Sequence, residues 1–170
     1  MRPEPAWQDQ AGRAGQATTI EELARSLLNH RQLHVITNKL NVAVILADHP
    51  GCEVILAAGV VRGRDRVIVG GAAIDFIRRF KVDVGIIGIS SIESDGVLRD
   101  FDQREVGLAQ AIIEQSREVW LLATQEKFGR KALARVAHLS RITTLFTDAE
   151  PTAMMREALR SSAVKVVVVA

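Results

Sequence analysis

What most limits the fold of this chain is a succession of short apolar runs that each stop at small or polar residues. Gly85-Ile86-Ile87-Gly88-Ile89 stops at Ser90-Ser91, and Val119-Trp120-Leu121-Leu122-Ala123 stops at Thr124. Apolar runs of this length, rich in branched side chains and without polar alternation, read as strands buried on both faces. Helix-length segments separate them, which implies βαβ units. We therefore expect an α/β fold with three α/β/α layers around a mostly parallel sheet. In such sheets, ligands sit where the strands run out at their carboxyl ends.

Residues 33–37, 52–57, 67–69, 82–88, 119–123, 142–147 and 164–169 read as strands. Residues 82–88 form the most apolar of them and are expected at the sheet centre. Residues 90–100 read as a polar loop, and 124–140 as loop with a short helix. Helices are expected over 40–48, 72–80, 102–116 and from Pro151 to about residue 161, with Pro151 just inside the last. A first helix runs to about His30, capped by Thr18 or Thr19, with Glu21 and Glu22 in its first turn and Leu23, Leu27 and Leu28 as its buried stripe. Leu40, Ala43, Val44 and Ala47 form the expected stripe of the second helix. Residues 1–17, with Pro3, Pro5, Gly12 and Gly15, read as a disordered or loosely attached segment ahead of one domain over 18–170.

Composition excludes several classes. Aromatic residues are 4% and Tyr is absent, so the core is aliphatic. Lys and Arg number 22 against 20 Asp and Glu, interspersed along the chain, without the clustered basic face of a nucleic-acid binder. The single cysteine, Cys52, cannot form an internal disulfide and reads as a small buried apolar residue, which points to a reducing compartment. No apolar run is long enough to span a membrane, and the first residues lack the order of a signal peptide. A cytoplasmic location is expected.

No G-x-G-x-x-G follows the first strand and no G-x-x-x-x-G-K-[ST] occurs, so neither a dinucleotide nor ATP is expected. His30, His34, His49 and His138 show no ligand spacing, so no metal or cofactor is expected. Glu93, Asp95, Asp100, Asp102 and Glu105 cluster after the strand over 82–88. They can hold sugar hydroxyls or act as an acid/base pair in an aldose–ketose isomerisation. Alternatively, Asp95-Gly96 makes a turn and Asp100 or Asp102 caps the next helix. Lys127, just past a strand end, can present a point charge to a phosphate or stand as a solvated loop cation. Thr18 and Thr19 can cap a helix and offer hydroxyl and N–H groups to an anion.

Beside these readings stands a resemblance. Thr37-Asn38-x-Leu40-Asn41, Val54-Ile55-Leu56-Ala57-x-Gly59, Arg62-x-Arg64-Asp65 and Val82-Asp83-x-Gly85-Ile86-Ile87-Gly88-Ile89-Ser90 occur in that order. Ser94-Asp95-Gly96, Phe101-Asp102-x-x-Glu105-Val106 and Lys127-Phe128-Gly129-Arg130 follow. Over residues 18–148 the chain resembles the effector-sensing domain of the DeoR family of bacterial transcriptional repressors. The resemblance implies a fold like that of ribose-5-phosphate isomerase and glucosamine-6-phosphate deaminase. It also implies a phosphorylated sugar or polyol as effector, with glycerol 3-phosphate the candidate, and homo-oligomerisation. DNA would be bound only through a winged helix-turn-helix, which this chain does not display.

The ligand-binding residues implied are Thr18 and Thr19 with hydroxyl and N–H donors, and Lys127 with its charge. Asn38 would use its amide, Gly59 would admit a close backbone approach, and Ser90 and Glu105 would bind hydroxyls. The chain departs from the family pattern at several points. Gly15 and Ala17 replace the Asp and Gly of the usual Asp-x-Gly-Thr-Thr turn, and Val60 replaces the Glu of Gly-Gly-Glu. Ala109 and Gln110 replace a basic pair, and Thr124-Gln125-Glu126 replaces Asp-His-Ser. Glu126 would set an acid beside the phosphate seat and weaken anion binding. A binding module without enzymatic activity is the expectation. A sugar-phosphate isomerase using Glu105 or Asp95, and a ligand-free oligomerisation module, are the alternatives.

Overall fold

The computed structural model describes residues 16–63 and 65–169, and side chains from Thr19 onward. What the sequence suggests for residues 1–15 lies outside them. Contacts divide the chain between Phe76 and Ile77 into two compact units.

In the first unit, helix α1 (Gln16–Leu27) is followed by strand β1 (Leu33–Thr37), helix α2 (Leu40–Ala47) and strand β2 (Cys52–Leu56). β1 and β2 pair in parallel, with Val35 opposite Val54. Helix α1 begins before Thr18, so neither Thr18 nor Thr19 is its cap, and Glu21 and Glu22 fall outside its first turn. Gln16 and Ala17 are better helix formers than threonine, which draws the start of the helix forward. Its buried residues include Leu23 and Ala24, whereas Leu28 is exposed beyond its end.

The stripe expected on α2 is also displaced. Val42 and Leu46 are buried, packed with Ala24, while Val44 is 74% exposed. Every residue of Leu40–Ala47 except Asn41 is apolar, so the pattern carries no phase and packing against α1 selects the face. The Asn41 side-chain amide donates to Glu21 across 2.7 Å, tying the two helices.

Strands β3 (Val60–Arg62) and β4 (Val67–Val69) then form an antiparallel ribbon. β3 falls outside the strands expected from the sequence. Helix α3 (Gly71–Ile77) follows. It is shorter than expected.

The second unit holds β5 (Val82–Gly88), β6 (Ser91–Ile92), β7 (Val97–Asp100), α4 (Gln103–Gln115), β8 (Ser116–Leu122), β9 (Ala134–His138), β10 (Thr144–Thr147), α5 (Ala153–Ser161) and β11 (Lys165–Val168). The sheet order β11-β10-β8-β5 is parallel throughout. The expected α/β class with a mostly parallel sheet therefore holds. Ile87, Leu121 and Leu145 stand in register across β5, β8 and β10. They pack in one core with Ile113 of α4 and Met155 and Leu159 of α5. On the alternate face, Trp120 and Phe146 meet at 5.2 Å between ring centroids.

Three corrections belong to this unit. β5 stands at the end of its four-stranded sheet, not at the centre. An apolar strand reports burial of its faces, which does not specify its place in the strand order. The regions expected as loops contain β6, β7 and β9, joined as a three-stranded antiparallel sheet. β6 has only two residues, and β7 and β9 carry arginine or histidine, so their apolar signal is weak. Pro151 precedes α5, and the Thr152 hydroxyl accepts from Met155 N as the cap.

Candidate functional site

The residues expected at the site fall in both units. Thr18, Thr19, Asn38 and Gly59 belong to the first, and Ser90, Glu105 and Lys127 to the second.

In the second unit, the carboxyl ends of two adjacent parallel strands lead straight into polar residues. β5 runs into Ser90, and β8 runs into Thr124 and a 3-10 turn over Gln125–Lys127. Thr124 O accepts from Lys127 N at 3.0 Å, which closes the turn. Gly129 N donates to Ile92 O at 2.9 Å, holding the following segment beside β6. The Ser91 hydroxyl, fully buried, donates to Arg130 O. These bonds fix the backbone on both sides of Lys127.

Lys127 is 6% exposed. A buried ammonium requires an anionic partner, and Glu126 Oε1 lies 3.1 Å from its Nζ. The alternative of a solvated loop cation is therefore excluded by burial. The Glu126 side chain itself is 68% exposed. Its carboxyl is held below the ordinary carboxylate range, first by the hydrogen bond from Lys127 and then by that residue's charge, with smaller help from Arg130 and Thr124. The Thr124 Oγ1 is buried beside them and makes no hydrogen bond of good geometry.

Ser90 is buried and its hydroxyl donates to Asp100 Oδ1 at 2.8 Å. The same oxygen accepts from Phe101 N at 2.7 Å, so Asp100 organises the turn from β7 into α4. Asp102 is the cap of α4, accepting from Arg104 N at 2.9 Å. Asp95 makes the expected turn with Gly96, its carboxylate accepting from Val97 N at 3.0 Å. Glu105 lies half-buried in the first turn of α4, where the helix dipole favours a carboxylate.

In the first unit, Asn38 serves the fold. Its side-chain amide donates to Ile68 O at 3.2 Å, and Ile68 N donates to its carbonyl at 2.7 Å. Gly59 has φ +151, and a Cβ there would meet Ile68 Cγ2 at 2.8 Å and Val69 O at 2.9 Å. The close approach it permits is that of its own chain to β4. Thr19 is half-buried within α1, and the Thr18 side chain lies outside the description.

Sequence reasoning passed over Ser91, Asp100 as partner of Ser90, and Asp148, which accepts from Gln125 N at 2.6 Å. Only their position beside strand ends could have signalled them. An open groove of about 500 Å3 between α4 and β9, lined by Glu114, Arg135, His138 and Arg141, includes none of the expected residues. Among the described residues no cluster of His, Cys, Asp and Glu suits a metal ion, and no helix is long and apolar enough to cross a membrane.

A parallel α/β unit with a buried lysine and two buried serines beyond its strand ends places polar side chains where such sheets hold ligands. The chain belongs to the DeoR C-terminal sensor-domain family, whose model matches residues 14–149. It is 45% identical over 142 residues to the glycerol-3-phosphate regulon repressor of Escherichia coli (strain K12), covering 84% of this chain and 56% of that protein. The protein of the same name in Haemophilus influenzae is 42% identical over 79% of this chain and 52% of its own length. The HTH-type transcriptional repressor CsqR of Escherichia coli is 35% identical over 88% and 58% respectively. The chain thus spans about half the length of the curated relatives it matches.

Proposed function

We propose that this chain is the effector-sensing module of a DeoR-type transcriptional repressor and that it binds a small phosphorylated polyol, with glycerol 3-phosphate the first candidate. The observation that carries the reading is the Lys127 ammonium: buried, beyond the end of β8, and paired with one mostly exposed carboxylate. An ammonium has three donors, so it can serve an anionic ligand as well as Glu126. Ser90 and Glu105, at neighbouring strand and helix ends, would meet hydroxyls. The names of the relatives, two of them glycerol-3-phosphate regulon repressors, support this choice of effector.

Binding would shift the regulator between two states by differential affinity. DNA contact in the whole regulator would fall to a helix-turn-helix outside these residues. A homo-oligomer acting in the cytoplasm, without enzymatic activity and with residues 18–170 working as one sensor domain, completes the proposal.

Calorimetric titration tests it. Glycerol 3-phosphate should bind, glycerol should bind far more weakly, and Lys127→Met should abolish the difference. Absence of heat at millimolar glycerol 3-phosphate overturns it. The pairing of Glu126 with Lys127 favours a second reading, a module that only oligomerises. Light scattering that finds a stable oligomer, together with a melting temperature unmoved by any phosphorylated polyol, would establish that one instead.

A further inference from the structure

We infer that Glu126 is an affinity-setting residue, a carboxylate built into the chain that competes with anionic ligands for the Lys127 ammonium. The inference rests on the proposed anion seat at Lys127 and goes beyond it by assigning a role to the neighbouring acid.

The two side chains differ in what they can do. Lys127 is 8% exposed along its side chain, and its backbone N–H is bonded to Thr124 O at 3.0 Å. It cannot swing into solvent without leaving its burial site. Glu126 is 68% exposed and sits on the solvent side of the 3.1 Å contact. Its own hydration survives rotation, but turning away leaves the buried ammonium without an anion unless a ligand takes that place. An entering phosphate therefore meets a neutralised pair and must either displace the carboxylate or accept its repulsion. Both reduce the gain from the ammonium. A neutral hydroxyl meets no such penalty, since it can accept from the ammonium and donate to the carboxylate.

The Thr124 hydroxyl is drawn to the same carboxylate and helps to hold it low, while its buried Oγ1 makes no hydrogen bond of good geometry. Arg130 also acts on Glu126, more weakly than Lys127 does. Glu126 thus moderates anion affinity without abolishing it, and biases selection from the phosphate toward the hydroxyl end of a ligand.

The experiment compares the full chain with Glu126→Gln and Glu126→Ala, titrated with glycerol 3-phosphate, inorganic phosphate and glycerol at one ionic strength, and followed by thermal unfolding. Removing a competing exposed carboxylate should tighten both phosphates by roughly threefold or more, while the response to glycerol should not strengthen and should weaken in Glu126→Ala, which lacks an acceptor for its hydroxyl. The ligand-free variants should melt below the parent chain, because Lys127 loses its partner, yet rise further than the parent on adding phosphate. A purely structural Glu126 would lower melting with no larger phosphate response. Phosphate affinities that equal or fall below those of the parent, in a parent that binds, overturn the role of Glu126 and leave the seat intact. Absence of phosphate binding in the parent and both variants overturns the seat at Lys127 and this inference with it.

Discussion

A Cβ built on Gly85 would lie 2.0 Å from the Oγ of Ser116, so β5 and the junction of α4 with β8 meet at a distance that only glycine allows. The Ser116 hydroxyl is held there by its bond to Ile112 O at 2.5 Å, and Ile112 Cγ2 would also stand 2.8 Å from the added carbon. Gly85→Ala should destabilise the second unit by roughly 1–3 kcal/mol, the usual penalty of overpacking. Urea unfolding would measure it, and an unchanged midpoint would contradict the close contact.

Asp102 closes the first turn of α4, and its carboxylate also accepts from the Arg104 side chain at 2.9 Å. Asp102→Ala should cost about 1 kcal/mol of stability, and Asp102→Asn much less, since an amide oxygen still caps. Both variants are read by the same unfolding curve.

Arg62 holds Asp65 at the turn of the β3–β4 ribbon through a two-pronged contact, with Nε donating across 2.9 Å. This hydrogen bond lowers the Asp65 carboxyl below its ordinary 3.8, against an opposing push from burial. A carboxyl lowered in the folded state stabilises above its unfolded value, and that contribution is lost as pH falls through the folded value. Asp65→Asn should therefore lower stability at neutral pH, by no more than about 1 kcal/mol given solvent screening. The gap should close in acid below the ordinary carboxylate range. A difference that persists there would deny the ion pair its role.

Cys52 opens β2 and packs against the cluster of Ala24, Val42 and Leu46. Burial pushes its thiol above the ordinary 9.0, which lowers the thiolate fraction at neutral pH. Its reaction with an aromatic disulfide reagent should be slower than that of a free thiol and should accelerate on unfolding in urea. Equal rates in both states would show the thiol to be unprotected.

The parallel strands were legible because their composition and spacing report burial on two faces. β1, β4 and β5 fall on the bounds expected from the residues. The antiparallel pieces β3, β6, β7 and β9 were not, because strands this short alternate too few side chains to leave a period. At the candidate site, Lys127, Ser90 and the Asp102 cap could be named from their places beside strand and helix ends. Asn38 and Gly59 were legible as special positions but not as to purpose. Their contacts with Ile68 and Val69 join residues distant in sequence, and no local pattern encodes that.

By itself the sequence determined the α/β class, the family, the order of the main helices and strands, and the presence of an acid next to Lys127. Local propensity and the spacing of apolar residues carry that information within a few neighbours. Only the tertiary structure decided which face of the all-apolar α2 is buried, that β5 is an edge of its sheet, and that Lys127 is withdrawn from water while Glu126 remains in it. Burial is a property of what packs against a residue, and the packing partners come from far along the chain.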